Sequence, residues 1–368
     1  MIQHSRRFLV AMIAACCLFP SSASAWNLYV NGAADTWNTN EFGGHGIFLA
    51  HLALPLGDWL LVAELNTDTA LLRTQTQFGK VQLGAQVRAE ALFGGLLIHH
   101  FVAGEDQPEL GFYASFAEAQ VDAKTNLASH WFTLSLGARQ WAFSAFEEED
   151  IVFPPDLLAA YAQLSWAWWE IDHDSSWSDP HRRARRRIEG FGLGMDISAE
   201  LRNDSGEFGV EGRNPGEKEI LSVRQWGAWG VELSPIARLQ VRQWAGWGFN
   251  EDDLTRMRVG GQNPYVLPVP GLPWAAFLAQ RYVGGEVAQS FNLWGESEIG
   301  FTANGVVLDD PRRVGDFDEF GNVIGTSLFL DFRHGPWQAN AAIGLSPDTG
   351  YLANSLNYGA YVDLGRSF

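Results

Sequence analysis

The sequence predicts an all-β chain, a transmembrane antiparallel β-barrel of about 14 to 16 strands preceded by an export signal. Three observations predict it. The first 25 residues have the layout of a secretory signal. Many later stretches alternate apolar and polar residues with a period of two. The chain ends on an amphipathic strand closed by Phe368.

The signal is read from its parts. Arg6 and Arg7 supply the positive start, and Phe8 to Phe19 form an apolar run too short to span a bilayer as a helix. Ala23-Ser24-Ala25 offers the small residues of a cleavage site. Residues 1–25 are thus expected to be the signal and 26–368 the barrel, placed in a bacterial outer membrane. Ile13-Ala14-Ala15-Cys16 also fits a lipoprotein box, which would leave a lipidated Cys16. The apolar run continues past Cys16, and a lipid anchor on a barrel is redundant, so the cut after Ala25 is favoured.

Composition narrows the function classes. Both cysteines, Cys16 and Cys17, fall inside the signal, which excludes thiol catalysis and cysteine-ligated metals for the mature chain. The net charge is −18, and −20 without Arg6 and Arg7, a poor match to nucleic acid. No later run holds roughly 18 uninterrupted apolar residues, so no membrane helix is predicted. The 16 Trp, 24 Phe and 39 Gly suit aromatic girdles and Gly-rich strands.

The strands follow from alternation. Val81, Leu83, Ala85, Val87 and Ala89 oppose Gln82, Gly84, Gln86, Arg88 and Glu90. Phe132, Leu134, Leu136 and Ala138 oppose Thr133, Ser135, Gly137 and Arg139. Leu239, Val241, Ala245 and Trp247 oppose Arg238, Gln240, Arg242 and Gly246, and Leu328, Leu330 and Phe332 oppose Ser327, Asp331 and Arg333. Trp337 to Leu345 alternate likewise. A soluble sandwich would alternate too, with its apolar face inward. In a barrel the faces reverse, and Arg88, Glu90, Arg139, Arg242, Asp331 and Arg333 become lumen-facing charges.

The last strand favours the barrel. Tyr358, Ala360, Val362, Leu364 and Phe368 share one face. Ten residues tilted by ~45° cover ~24 Å, close to the apolar band of outer-membrane barrels. Tyr358 and Phe368 would lie in opposite girdles. Val362, Leu364 and Phe368 form the expected assembly signal, read by the outer-membrane assembly machinery. Outer-membrane lipid and lipopolysaccharide are the other expected partners; the oligomeric state is left open.

Turns follow the same parity. His334-Gly335-Pro336 and Ser234-Pro235-Ile236 are tight, whereas 203–219, 250–273, 309–322 and 347–355 are longer. Counting back from Phe368 places 347–355, 309–322 and 250–273 outside and 334–336 inside, provided a further turn lies near Gly284-Gly285. No internal repeat is present, and the charged segment 172–187 reads as a loop.

Few constellations point to chemistry. Asp172-His173-Asp174-Ser175-Ser176, with Ser178, Asp179 and His181, lacks the spacing of a Ca²⁺ loop and reads as a solvated loop. The basic run His181 to Arg187 falls on the periplasmic side by parity. His99 and His100, near His45 and His51, point to opposite faces of a strand and make a poor metal site. No G-x-S-x-G, Walker A, dinucleotide or H-E-x-x-H motif occurs, so no enzyme, cofactor or metal is expected. The segment from about Asp252 to Pro273 is different. Gly260-Gly261, Asn263-Pro264-Tyr265, Pro268, Pro270, Gly271 and Pro273 stiffen a long loop, and Leu267, Val269 and Leu272 disfavour water. It is expected to fold inward and narrow the lumen, with Arg256 and Arg258 reaching an inward carboxylate such as Asp331.

Residues 188–368 resemble the bacterial surface-antigen superfamily, the barrels of the BamA, TamA and two-partner-secretion translocators. The resemblance is carried by Phe191-Gly-Leu-Gly-Met-Asp196 with Leu201-Arg202-Asn203, by Arg258-Val259-Gly260-Gly261 opening the long loop, and by the closing strands from Phe329-Leu330-Asp331 to Phe368. It implies an inward loop at 250–273 and a role in moving or assembling protein or lipid. The family's Arg-Gly-aromatic tip is missing from that loop, and Arg281-Tyr282 is a partial echo. No room before Trp26 exists for periplasmic domains, so a barrel-only member is implied. Two other functions compete: a passive, porin-like pore using the lumen charges, and a lipid-modifying barrel enzyme.

Overall fold

The computed structural model describes residues 27–38, 42–66, 69–90, 96–98, 101–102, 105–106, 112–145, 156–169, 190–204, 206, 208, 216–261, 267–272, 276–295, 297–309, 320–347 and 356–367. Sixteen strands among them form one ring. They are β1 (Asn27–Asn38), β2 (Phe42–Leu56), β3 (Trp59–Asn66), β4 (Thr69–Phe78), β5 (Val81–Glu90), β6 (Phe112–Leu127), β7 (His130–Ala145) and β8 (Leu158–Trp169). The second half holds β9 (Gly190–Arg202), β10 (Glu219–Ser234), β11 (Ala237–Phe249), β12 (Arg281–Trp294), β13 (Ser297–Asp309), β14 (Phe320–His334), β15 (Trp337–Pro347) and β16 (Leu356–Ser367).

Each strand pairs antiparallel with its sequence neighbours, and β16 returns to β1 in a ladder from Tyr29↔Ser367 to Asn38↔Tyr358. The ring is therefore closed and has no free edge. Three short pieces lie outside it: Leu96–Ile98 beside the start of β6, a small hairpin of Phe101–Val102 with Glu105–Asp106, and another of Met257–Val259 with Phe277–Ala279.

The two faces have the polarity of a membrane barrel. Leu83, Val87, Leu134, Leu136, Leu328, Val362 and Leu364 are exposed on the outside. Glu118, Arg238, Arg242, Glu286, Glu298, Asp331 and Asp363 are buried on the inside. A soluble sandwich would show the reverse, because water would charge roughly 25 cal/mol for every Å² of that apolar band. In lipid the same band is solvated, and closure satisfies the backbone that the bilayer cannot.

The tight turns after β2, β4, β6, β10, β12 and β14 lie at one end, and the connections after β5, β7, β9, β11, β13 and β15 leave from the other. Gly57, Gly79, Gly295 and Gly335 sit in the turns with positive φ, which a Cβ would oppose. Exposed Trp59, Phe78 and Trp294 border those turns, as a periplasmic girdle would. The strands β11, β13 and β15 end opposite those turns, at the end that the sequence parity places outside. The turn expected near Gly284-Gly285 does not exist. Both residues lie within β12, paired with Val306 and Gly305, and the turn follows ten residues later at Gly295. Alternation through Val283 and Val287 carries the strand past the two glycines.

Candidate functional site

The described parts of the connection from Asn250 to Gln280, residues 250–261, 267–272 and 276–280, fold into the barrel as a plug. Asn250 has φ 58°, which turns the chain off the end of β11. Asp252 then organises a tight turn. Its carboxylate accepts from Leu254 N at 3.1 Å and from Thr255 Oγ1 at 3.1 Å, and its carbonyl from Arg256 N at 2.9 Å. The small hairpin 257–259/277–279 follows. Gly260 N donates to Leu267 O at 3.0 Å, and Val269 N to Gly261 O at 3.1 Å, so the two described arms of the loop are tied to each other.

Charge fixes one side of this plug. Arg202 at the end of β9 pairs with Asp252 and, at 2.7 Å, with Glu200. Arg224 of β10 donates to Glu251 at 3.1 Å and to the carbonyl of Thr255 at 2.6 Å. Glu251 lies so close over Gly248 that any Cβ there would collide with its carboxylate. Burial pushes the Glu251 carboxyl up to about 7, against the pull of Arg224.

Close backbone contact fixes the other side. A Cβ on Gly325 would stand 2.4 Å from the carbonyl of Pro270, one on Gly344 2.5 Å from Pro270 Cβ, and one on Gly271 2.4 Å from Ser346 N. Asn304 of β13 donates to the Pro268 carbonyl at 3.2 Å. Asp309 receives the exit of the plug, accepting from Gln280 N, Arg281 N and Arg281 Nε at 2.9, 2.6 and 2.8 Å.

Apolar side chains complete the packing. Val259, Leu267, Val269, Leu272 and Phe277 share a buried cluster with wall residues Tyr282, Val306, Leu308 and Val323. Leu254 and Leu278 join a second cluster with Phe112, Phe116 and Trp141 of β6 and β7. These two walls lie seven strands apart in the ring of sixteen, close to a full diameter. The plug therefore crosses the lumen from wall to wall.

A cavity of 590 Å³ lies against the plug, bounded by the inner faces of β5 to β14 and by residues such as Arg256, Arg258 and Pro268. Its charges are mostly paired. Arg88 and Arg139 share Glu118, at 3.6 and 2.6 Å, and both guanidinium groups stack on Phe116, at 4.6 and 4.8 Å. Arg242 meets Glu286 at 3.2 Å, and Glu286 also accepts from Asn304 at 2.9 Å. Arg258 has no hydrogen-bonding acceptor for its buried Nη2, and Glu90 is the opposite charge whose field reaches it most strongly.

The sequence-derived assignments divide. All six lumen charges, Arg88, Glu90, Arg139, Arg242, Asp331 and Arg333, lie on inward positions of their strands. Of the 250–273 segment, the described residues 250–261 and 267–272 lie inside the barrel, with Gly260, Gly261, Leu267, Val269 and Leu272 buried. The proposed anchor is not. Arg256 meets Asp253 at 3.3 Å within the plug, and Asp331 meets Arg333 at 3.2 Å on its own strand. Asp331 lies nearer the tight-turn end, six residues beyond the Gly325 that touches the plug. The polarity of the anchor is also reversed: the plug brings Glu251 and Asp252, and the wall brings Arg202 and Arg224. The acidic run Glu251-Asp252-Asp253 opening a long loop was the available signal.

Val362 and Leu364 face outward on the closing strand. His51 pairs with Glu64 at 3.4 Å across β2 and β3. Pro264, Tyr265, Pro273, Phe368, His99, His100, the signal segment and the charged run 172–187 lie outside the described residues.

The fold defines an outer-membrane β-barrel whose lumen is crossed by its own loop. No family model matches the chain, and no curated protein matches it. Solved structures do. CdiB from Escherichia coli aligns with TM-score 0.58 at 12% identity, over 92% of this chain and 63% of that one. CdiB from Acinetobacter baumannii aligns with TM-score 0.55 at 10% identity, over 92% and 60%. BamA from Haemophilus ducreyi lacking POTRA domains 1–3 aligns with TM-score 0.56 at 10% identity, over 93% and 70%. The chain spans about three fifths of the CdiB chains, and at such identities the likeness is one of fold.

Proposed function

We propose that this protein is a plugged outer-membrane barrel that moves or inserts a protein or lipid when the plug shifts, in the manner of a surface-antigen barrel. One observation carries the reading: the described parts of the 250–280 segment reach across the lumen and are held by ion pairs on one wall and by backbone contact on the other. A diffusion pore has no use for a wall-to-wall obstruction anchored in this way. The fold likeness to CdiB and BamA supports the same reading. Surrounding lipid and lipopolysaccharide would contact the outer apolar band, and Val362, Leu364 and Phe368 would be the segment presented to the assembly machinery.

The charge-lined cavity favours a second reading, a narrow pore selective for small charged solutes. A lipid-modifying enzyme ranks third, because among the described residues the buried charged groups gather inside the barrel. Swelling of proteoliposomes in small sugars separates the first two. Wild-type protein should swell vesicles no faster than protein-free controls. Replacing residues 259–272 by a short Gly-Ser linker should produce fast swelling. Fast sugar uptake by the wild type would overturn the plugged reading in favour of the pore.

A further inference from the structure

Six guanidinium groups line the lumenal cavity: Arg88, Arg139, Arg224, Arg242, Arg256 and Arg258. Five of them have a carboxylate within 4 Å, but Arg88 and Arg139 must share Glu118. Arg258 makes no hydrogen bond or ion pair of this kind, and its Nη2 is buried without an acceptor. Glu90 is close enough to feel Arg88, Arg139 and Arg258 together. Asp253 acts on Arg258 as well, and what remains unmet is the acceptor for its buried Nη2. A desolvated cation without an acceptor is costly, and a bound oxyanion removes the cost.

We propose that Arg258, with Arg88 and Arg139, forms an oxyanion-binding site in the lumenal cavity, taking a phosphate group. Guanidinium forks match phosphate oxygens in pairs. Phe116 holds two of the forks by stacking, so they are pre-aligned before a ligand arrives. The site borders the plug through Arg258, and a ligand bound there would touch the plug and the wall together. The phosphate would come from a free phosphorylated solute or from the headgroup of a phospholipid.

Full-length protein folded in detergent micelles tests this by intrinsic tryptophan fluorescence, since Trp141, Trp226 and Trp244 lie around the cavity. The probes are inorganic pyrophosphate, short-chain phosphatidic acid and sodium chloride at matched ionic strength. Saturable binding of pyrophosphate or phosphatidic acid, absent with chloride, is expected. Preference between the two identifies the source of the phosphate. Arg258→Gln should weaken binding about tenfold, as removal of a charge-assisted contact does, whereas Arg333→Gln, outside the cavity, should not change it. Arg258→Lys keeps the charge and guards against a folding defect; it should bind with intermediate affinity. No saturable response in the wild type, or equal binding by the wild type and Arg258→Gln, would overturn the site. Vesicle swelling is independent of this result, so the plug and the anion site can fail separately.

Discussion

The hold of the plug on the wall should weaken as pH rises. Glu251 is almost fully buried beside Arg224, and burial raises its carboxyl to about 7. Released into water, the same carboxyl returns to its ordinary value of 4.5. The docked plug therefore binds the proton more tightly than the released plug. Its contribution is fully present below about pH 4.5 and is lost as pH climbs through 7. The gap corresponds to roughly 3 kcal/mol, or on the order of a hundredfold in the docked-to-released ratio. Ser346 lies fully buried against the Gly271 backbone. Both native cysteines precede Trp26, so Ser346→Cys gives a single thiol in a chain cut after Ala25. Its labelling rate by a polar maleimide, corrected for the reagent's own pH dependence with a free thiol, reports release of the plug. The corrected rate should rise between pH 5 and pH 8. Glu251→Gln keeps a hydrogen bond to Arg224 without the charge and should flatten the profile at the slow, acidic rate. Equal corrected rates at both pH values in the wild type, or faster labelling at pH 5, would refute the reasoning.

Other perturbations follow from the same contacts. Asp252→Ala strands Arg202 with Glu200 alone and should weaken docking by about 3 kcal/mol, the low end for a broken buried pair; the Ser346→Cys label should then react rapidly at all pH values. Gly344→Val places side-chain atoms where Pro270 lies and should expel the plug while the barrel keeps its heat-modifiable mobility on gels. Leu364→Asp puts a carboxylate on the lipid face near the strand end and should cost up to about 1 kcal/mol, visible as a lower urea midpoint in vesicles. Deleting Phe368 should lower the amount of folded barrel in the outer membrane, measured by quantitative blotting, without altering vesicle swelling per folded molecule.

Much of the fold was legible because alternation is a local property. Each strand shows its two faces in its own residues, and Leu328 against Ser327 or Val362 against Asp363 needs no knowledge of the partner strand. The pairing of β1 with β16 is not local. Nothing in Asn27–Asn38 names Tyr358 to Ser367 as its partner. Gly284-Gly285 misled for a related reason: paired glycines usually mark a turn, but here they lie where β12 crosses β13 closely, at Gly305. The inward loop was legible from prolines, glycines and apolar residues that suit neither a strand nor a solvated flap. Its anchors were not. Which arginine meets which carboxylate depends on how far the loop descends, and it stops near Gly325, short of Asp331. Arg202 and Arg224 therefore took the role assigned to Arg256 and Arg258.

The lumen claim is tested most directly by the conductance of single molecules in planar lipid bilayers. The wild-type barrel should be silent or show only brief, small openings at neutral pH. The same barrel with residues 259–272 replaced by a short Gly-Ser linker should show a steady conductance several times larger. A large, steady conductance in the wild type, unchanged by that replacement, would contradict a lumen closed by its own loop.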